Sequence, residues 1–153
     1  MQKKIYPIII ITGILVDQIT KHLAQTFLSF FKPFVIAKNI LSLHLVHNYG
    51  AAYGILQNKR ILLLSISLLV LFIIFFNFKK IATTSLAKFA LCFLLIGIIG
   101  NFIDRLLFGY VIDFININIV PVFNFADVFI DIGIIGLAWD IFTNNEKAKT
   151  KSK

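Results

Sequence analysis

Residues 61–78 read ILLLSISLLVLFIIFFNF, eighteen positions without a single charge. A helix needs about 20 apolar residues to cross the hydrocarbon of a bilayer, and this run meets that length. It is too uniformly apolar to present a polar face to water, so lipid is the solvent it implies. Three further stretches, 5–24, 86–107 and 124–143, are nearly as apolar but carry polar residues, mostly near one end. The sequence therefore predicts an all-α membrane protein with four transmembrane helices.

Composition agrees. Of the 153 residues, 59% are hydrophobic and 14% charged, against about 45–50% and about 25% in ordinary soluble domains. The chain is read as one membrane domain. The net charge of +8 does not point to nucleic acid, because the lysines occupy loops and tails between apolar runs and form no basic helix. The single cysteine, Cys92, lies inside an apolar run, which excludes an intrachain disulfide. The first apolar run follows Lys3 and Lys4 and ends in Asp17-Gln18-Ile19-Thr20-Lys21 without a small-residue cleavage site, so it reads as a retained span rather than a signal peptide.

Lysine and arginine set the orientation. Lys3, Lys4, Lys79, Lys80, Lys88, Lys147, Lys149, Lys151 and Lys153 fall on one side of a four-span chain. Lys32, Lys38, Lys59 and Arg60 fall on the other, with Lys21 and Arg105 near helix ends. The richer side is expected to be cytoplasmic, placing both termini inside. The outer segments, 25–60 and 108–123, each contain an alternating run: Leu41 to His47, and Ile115 to Ile119 ended by Pro121. Alternation predicts a small extended element on the extracytoplasmic surface. The polar tail 144–153 is expected to be disordered on the cytoplasmic side.

The polar residues converge. Asp17 and Lys21 share a helix face, as do Gly97, Asn101 and Arg105, with Asp104 alongside. Asn124 and Asp127 open the fourth helix, and Asp113 precedes it. The predicted topology puts all of them at the outer ends of their segments. Charges inside a bilayer cost about 2.5–3.5 kcal/mol on insertion scales, so they pair or serve a function. Asp17 with Lys21, and Asp104 with Arg105, read equally well as structural ion pairs. Asp113 and Asp127 have no such base. Two carboxyls held close share one proton, so that one can activate water while the other protonates a carbonyl oxygen. Spacing alone leaves two uses open, aspartyl peptide hydrolysis and a proton or ion pathway, the latter favoured by acids spread through the membrane depth such as Asp131 and Asp140. No His-Glu-x-x-His or Gly-x-Ser-x-Gly motif is present, and His44 and His47 are read as interfacial residues rather than metal ligands. No metal or cofactor is expected.

Five segments in order resemble the bacterial lipoprotein signal peptidase (signal peptidase II) family, an intramembrane aspartyl protease family. They are Asp17 to Lys21, Asn48 to Gly54, Gly97 to Arg105, Val111 to Phe114, and Phe123 to Asp127. Each is weak alone; together they span the chain from the first helix to the fourth. The resemblance implies cleavage of diacylglyceryl-modified prolipoproteins just before the lipidated cysteine, in the bacterial inner membrane, by a monomer whose partners are substrate and lipid. It implies Asp113 and Asp127 as the catalytic pair. Asp17, Lys21, Asn48, Gly97, Asn101, Asp104, Arg105, Asn124 and Ala126 match residues that shape or stabilise the site, with Asn48 and Arg105 suited to hold the substrate backbone. The segment 25–60 is expected to cover the site. Two departures stand out: Ile96-Gly97 where the family often has Gly-Gly, and Asp131 where an uncharged residue is usual. Asp131 is read as protonated and structural in preference to a like charge that raises the pKa of the pair.

Overall fold

The computed structural model describes residues 5–151. Four helices alternate with a small sheet: α1 (Ile5–Phe27), β1 (Phe34–Ala37), β2 (Leu41–Asn48), a 3-10 turn (Ala52–Gly54), α2 (Arg60–Ile81), α3 (Ser85–Leu107), β3 (Val111–Asn116) and α4 (Phe125–Lys151). Lys3, Lys4 and Lys153, which enter the orientation argument, lie outside the described residues.

Among the described residues, α1, α2 and α3 are long and apolar enough to cross a membrane. The fourth helix, with Asp127, Asp131 and Asp140 along it, is not among those three, so the structure establishes four helices and three candidate spans. The expected disorder of the tail is corrected. Helix α4 continues through Asn144 to Lys151, because Glu146, Lys147, Ala148 and Lys149 are good helix formers with no glycine or proline to stop them.

Helix α3 is the centre of the bundle. It buries nine residues, from Ala87 to Asp104, whereas α2 buries only Leu63 and Ile74. Ile61, Phe75 and Phe76 of α2 stand outward, a surface suited to lipid rather than water. The start of α3 is fixed by Thr84, whose Oγ1 accepts the Ala87 N–H at 3.0 Å. The same hydroxyl donates to the buried carboxylate of Asp140, tying α3 to α4 at the end remote from the acid cluster.

Close helix approach is built from small residues. A Cβ at Gly97 would run into the Ala126 carbonyl oxygen, so α3 and α4 meet here because that side chain is missing. The Ile96 side chain in turn fills the space left by Gly13 on α1. The departure from Gly-Gly is thus absorbed at the α1–α3 contact.

The sheet is antiparallel in the order β1-β2-β3. Its first strand was not anticipated; the second matches the alternating run at Leu41. The third starts earlier than the alternation at Ile115 suggested and stops at Asn116. There the Asn116 side chain accepts the Asn118 N–H at 3.0 Å, and Asn118 adopts φ 62°. That local turn breaks the strand, and Phe123 returns to bridge Ile115. Register is what matters for the site. Val46 pairs with Asp113 and Asn48 with Val111, which makes Asn48 a diagonal, same-face neighbour of Asp113.

Gly97→Ala is expected to lower the melting temperature in detergent by an amount equivalent to about 1–3 kcal/mol of overpacking. An interior Gly→Ala change in a helix is ordinarily stabilising, so a rise in melting temperature would contradict the close approach at Ala126.

Candidate active site

The polar cluster begins with one ammonium group. Lys21 Nζ lies 2.9 Å from Asp17 Oδ2 and 2.9 Å from Asp104 Oδ2, and donates to Asn101 Oδ1 at 3.0 Å. These contacts use all three of its donors. Lys21, Asp17 and Asp104 are 1%, 0% and 0% exposed. Asp104 therefore pairs with Lys21, and the expected Asp104–Arg105 ion pair does not form. The remaining lone pairs are occupied as a buried carboxylate requires. Gln18 Nε2 donates to Asp104 Oδ1 at 3.0 Å, Ile112 N–H to Asp104 Oδ2 at 3.1 Å, and Ala126 N–H to Asp17 Oδ1 at 2.9 Å. A Cβ at Gly100 would strike the Asp17 carboxylate.

From this anchor, asparagine amides carry the order outward. The oxygen of Asn101 is held by Lys21, so its Nδ2 must face the other way, and it donates to Asp127 Oδ1 at 2.8 Å. Asn124 Nδ2 donates to Asn101 Oδ1 at 3.2 Å and to Asp113 Oδ1 at 2.6 Å. Asn48 Nδ2 donates to Asp113 Oδ2 at 2.9 Å. Asn124 and Asp127 also form a reciprocal cap at the start of α4. Asn124 Oδ1 accepts the Asp127 N–H at 3.1 Å, while Asp127 Oδ2 accepts the Asn124 N–H at 3.2 Å. One residue thus bridges the two acids, with its side-chain amide on Asp113 and its backbone on Asp127.

Both acids line a cavity of about 660 Å³. Asn48, Arg105 and the loop residues Ala51, Ala52 and Tyr53 contribute to its rim, and apolar residues of α4 and of 117–123 form its wall. Arg105 donates to the Gly50 carbonyl at 2.9 Å and to the Asn101 carbonyl at 3.4 Å, while its Nε is buried with no partner among the described residues. The guanidinium thus clamps the 48–54 loop to α3 and keeps one N–H unengaged. Asp113 lies in the sheet, outside the helices. Burial pushes its carboxyl up to about 7; the nearby Asp127 charge adds to the rise, and the amides of Asn48 and Asn124 oppose it.

The structure brings together Asp17, Lys21, Asn48, Gly97, Asn101, Asp104, Arg105, Asp113, Asn124, Ala126 and Asp127 around one end of the bundle. Gln18 was missed as a site residue although it stands inside the first quoted segment; an amide beside a buried acid was the available signal. Asp131 is corrected. It is exposed at the cavity wall rather than packed in a structural role. His47 stacks on Tyr110 with ring centroids 3.8 Å apart, a packing role beside the site.

Apolar helices around a buried charge cluster, with two acids held by neutral amides and lining a largely apolar cavity, define a membrane protein with an enzyme-like site at one end of its bundle. The family model described as signal peptidase (SPase) II matches residues 9–143. A lipoprotein signal peptidase from Caldicellulosiruptor bescii is 41% identical over 136 residues, covering 88% of this chain and 89% of that protein. One from Clostridium acetobutylicum is 35% identical over 150 residues, covering 94% and 97%. A solved bacterial membrane enzyme, determined by the in meso method at 2.3 Å resolution, superposes with a TM-score of 0.89 at 31% identity, covering 94% of this chain and 91% of that one. The chain belongs to the signal peptidase II family, whose members are bacterial membrane proteases.

Two outcomes follow from the cluster. Lys21→Met strips the cation from two buried carboxylates and is expected to cost about 3–5 kcal/mol, read as loss of folded protein in detergent; adding Asp104→Asn should recover part of it. The second concerns pH. A carboxyl whose folded pKa is raised from 3.8 to about 7 stabilises the fold fully below its unfolded value. That contribution is lost as pH climbs through about 7. Asp113→Asn, which cannot ionise, should therefore melt with a weaker pH dependence between pH 4 and 7 than the parent chain. Identical slopes would remove Asp113 as the titrating group.

Proposed function

We propose that this chain is an aspartyl endopeptidase that removes signal peptides from diacylglyceryl-modified prolipoproteins, cutting on the amino side of the lipidated cysteine. The observation that carries this reading is the Asn124 bridge, which holds Asp113 and Asp127 at one site with Asn101 and Asn48 fixing their other oxygens. The names of the relatives support the substrate class.

In the proposed reaction the Asp127 carboxylate takes a proton from water as its oxygen adds to the scissile carbonyl carbon. Protonated Asp113 gives its proton to the carbonyl oxygen, yielding a neutral gem-diol. On collapse, Asp127 passes its proton to the departing cysteine nitrogen and Asp113 recovers one from the gem-diol hydroxyl. Both acids return to their starting states. An Asp113 pKa near 7 suits a group that must hold a proton at neutral pH and still release it. Asn48 and Arg105 hold the substrate backbone at the rim, and the 48–54 loop excludes water from the reacting bond. No metal or cofactor enters the scheme.

The proposed setting is the bacterial inner membrane, with α4 as a fourth span, both termini cytoplasmic and the site towards the extracytoplasmic face. The outward-facing Ile134, Trp139, Ile141 and Phe142 of α4 support that span. The chain is proposed to act as a monomer.

Asp113→Asn and Asp127→Asn should each reduce cleavage of a lipidated test precursor by at least about 10²–10⁴-fold, with the folded yield retained. Full activity in either variant overturns the aspartyl mechanism. Strong inhibition by a chelator would point instead to a metal-dependent reaction.

A further inference from the structure

A second cavity, of about 960 Å³, runs along α2 where it meets α3. Leu68, Leu71, Phe72 and Phe75 of α2 and Leu95 of α3 contribute its apolar wall, and Lys79 and Lys80 stand at one end. That end is remote from the acid cluster. Lys79 and Lys80 close α2, whereas Arg60 opens it and donates to the Arg105 carbonyl at 2.8 Å.

Length limits what fits the groove. Leu68 to Lys80 covers about 18 Å of helix axis. One leaflet holds half of a hydrocarbon core about 30 Å thick, or about 15 Å. The groove is therefore as long as a single leaflet is deep, with ammonium groups at the headgroup level. Lysines at the end of a helix complement its dipole whatever lies beside them. The dipole does not account for an apolar groove that starts at these two.

Charge selects the occupant. Lys79 and Lys80 are exposed, and the ion pairs among the described residues belong to Lys21. Each ammonium has three donors to offer. A second copy in the same membrane orientation would bring these lysines against their own counterparts, and α2 contains no acid to offset them. A signal peptide carries positive charge at its amino end and would be repelled. A phospholipid with an anionic headgroup matches both the charge at the mouth and the hydrocarbon along the wall.

We propose that this groove binds an anionic phospholipid of the cytoplasmic leaflet, with one acyl chain along α2 and the phosphate on Lys79 and Lys80. The leaflet follows from the proposed orientation. The site itself needs only that α2 spans the bilayer, and it stands apart from the aspartyl reading. Helix α2 buries only Leu63 and Ile74, so a lipid wedged against α3 adds to what holds it in the bundle.

The test titrates the full-length chain in neutral detergent with dioleoyl phosphatidylglycerol, and separately with the phosphatidylcholine of the same chains, following the melting temperature. Phosphatidylglycerol should give a saturable rise, and phosphatidylcholine little. Changing Lys79→Gln and Lys80→Gln together should weaken phosphatidylglycerol binding about ten- to thirtyfold. Lys88→Gln, on the same side but outside the groove, should leave it nearly unchanged. Leu68→Trp fills the far end from an exposed position; it should weaken the dioleoyl lipid and spare a short-chain phosphatidylglycerol. Phe72→Trp stands in where that variant folds poorly. Equal responses to the two headgroups, an equal rise with inorganic phosphate, or a loss in Lys88→Gln matching the double variant would each overturn the proposal. So would unaltered dioleoyl binding in the tryptophan variant, or a cross-linked dimer that the same variant abolishes, which would give the groove to a second copy. Cleavage activity enters none of these readouts, so failure here leaves the aspartyl mechanism standing, and the reverse.

Discussion

The ammonium of Lys21 is the interaction on which the remainder of the site depends. It joins α1 to α3 through Asp104 and Asn101, and it neutralises part of the charge of Asp17, whose other oxygen receives the first turn of α4. Three helices are thereby fixed at one level by a single buried group. Two acids share one ammonium in the cluster, and Gln18 and the backbone N–H groups of Ile112 and Ala126 donate to their remaining lone pairs. Buried ion pairs stabilise little compared with a well-packed apolar core. What this one supplies is direction: it decides which end of the Asn101 amide faces Asp127.

Direction then passes by steric and hydrogen-bonding necessity. Asn101 has one oxygen and one NH₂, so occupying the oxygen aims the donors. Asn124 caps α4, and the same cap binds Asp127 in the third position of the helix. Helix capping and placement of the Asp127 carboxyl are one structural act here. Asp113 arrives by a different route, through the register of β2 on β3, which sets Asn48 beside it. The sheet is short and bulged, but its pairing is specified where it matters.

Much of this was legible in the sequence because lipid imposes strong rules. Apolar runs located the first three helices to within a few residues, but not the end of the fourth, which continues past 143 to Lys151; polar groups inside the runs pointed to the cluster by their expense. The reciprocal cap between Asn124 and Asp127 was not read from the sequence, although both residues were placed at the opening of the fourth helix. Partner choice was not legible. Asp104 and Arg105 are adjacent and opposite in charge, yet neighbouring helical residues point about 100° apart, and Asp104 turns inward to Lys21 while Arg105 reaches the Gly50 carbonyl. The first strand was missed because Phe34-Val35-Ile36-Ala37 does not alternate. The end of the third was misplaced because an asparagine turn at 116–118 depends on backbone geometry, not on hydropathy.

The location of the acids at the ends of elements also answers a physical conflict. A hydrolase for a membrane-borne substrate needs water at the bond and hydrocarbon beside it. Carboxyls in mid-helix would face the full insertion cost and lack the second substrate. Carboxyls in an outer loop would be solvated, with ordinary proton affinities and no reason for one to stay protonated at neutral pH. Asp113 sits on a strand that is buried but outside the helices, and Asp127 in the first turn of one whose apolar body continues beyond it. The amides of Asn48, Asn101 and Asn124 supply the fixed dipoles that bulk water would otherwise provide. In the proposed reaction they need no reorganisation when charge moves between the acids. An all-asparagine shell is neutral, so it orients the carboxyls without pinning either one in its ionised form, as a lysine or arginine in direct contact would.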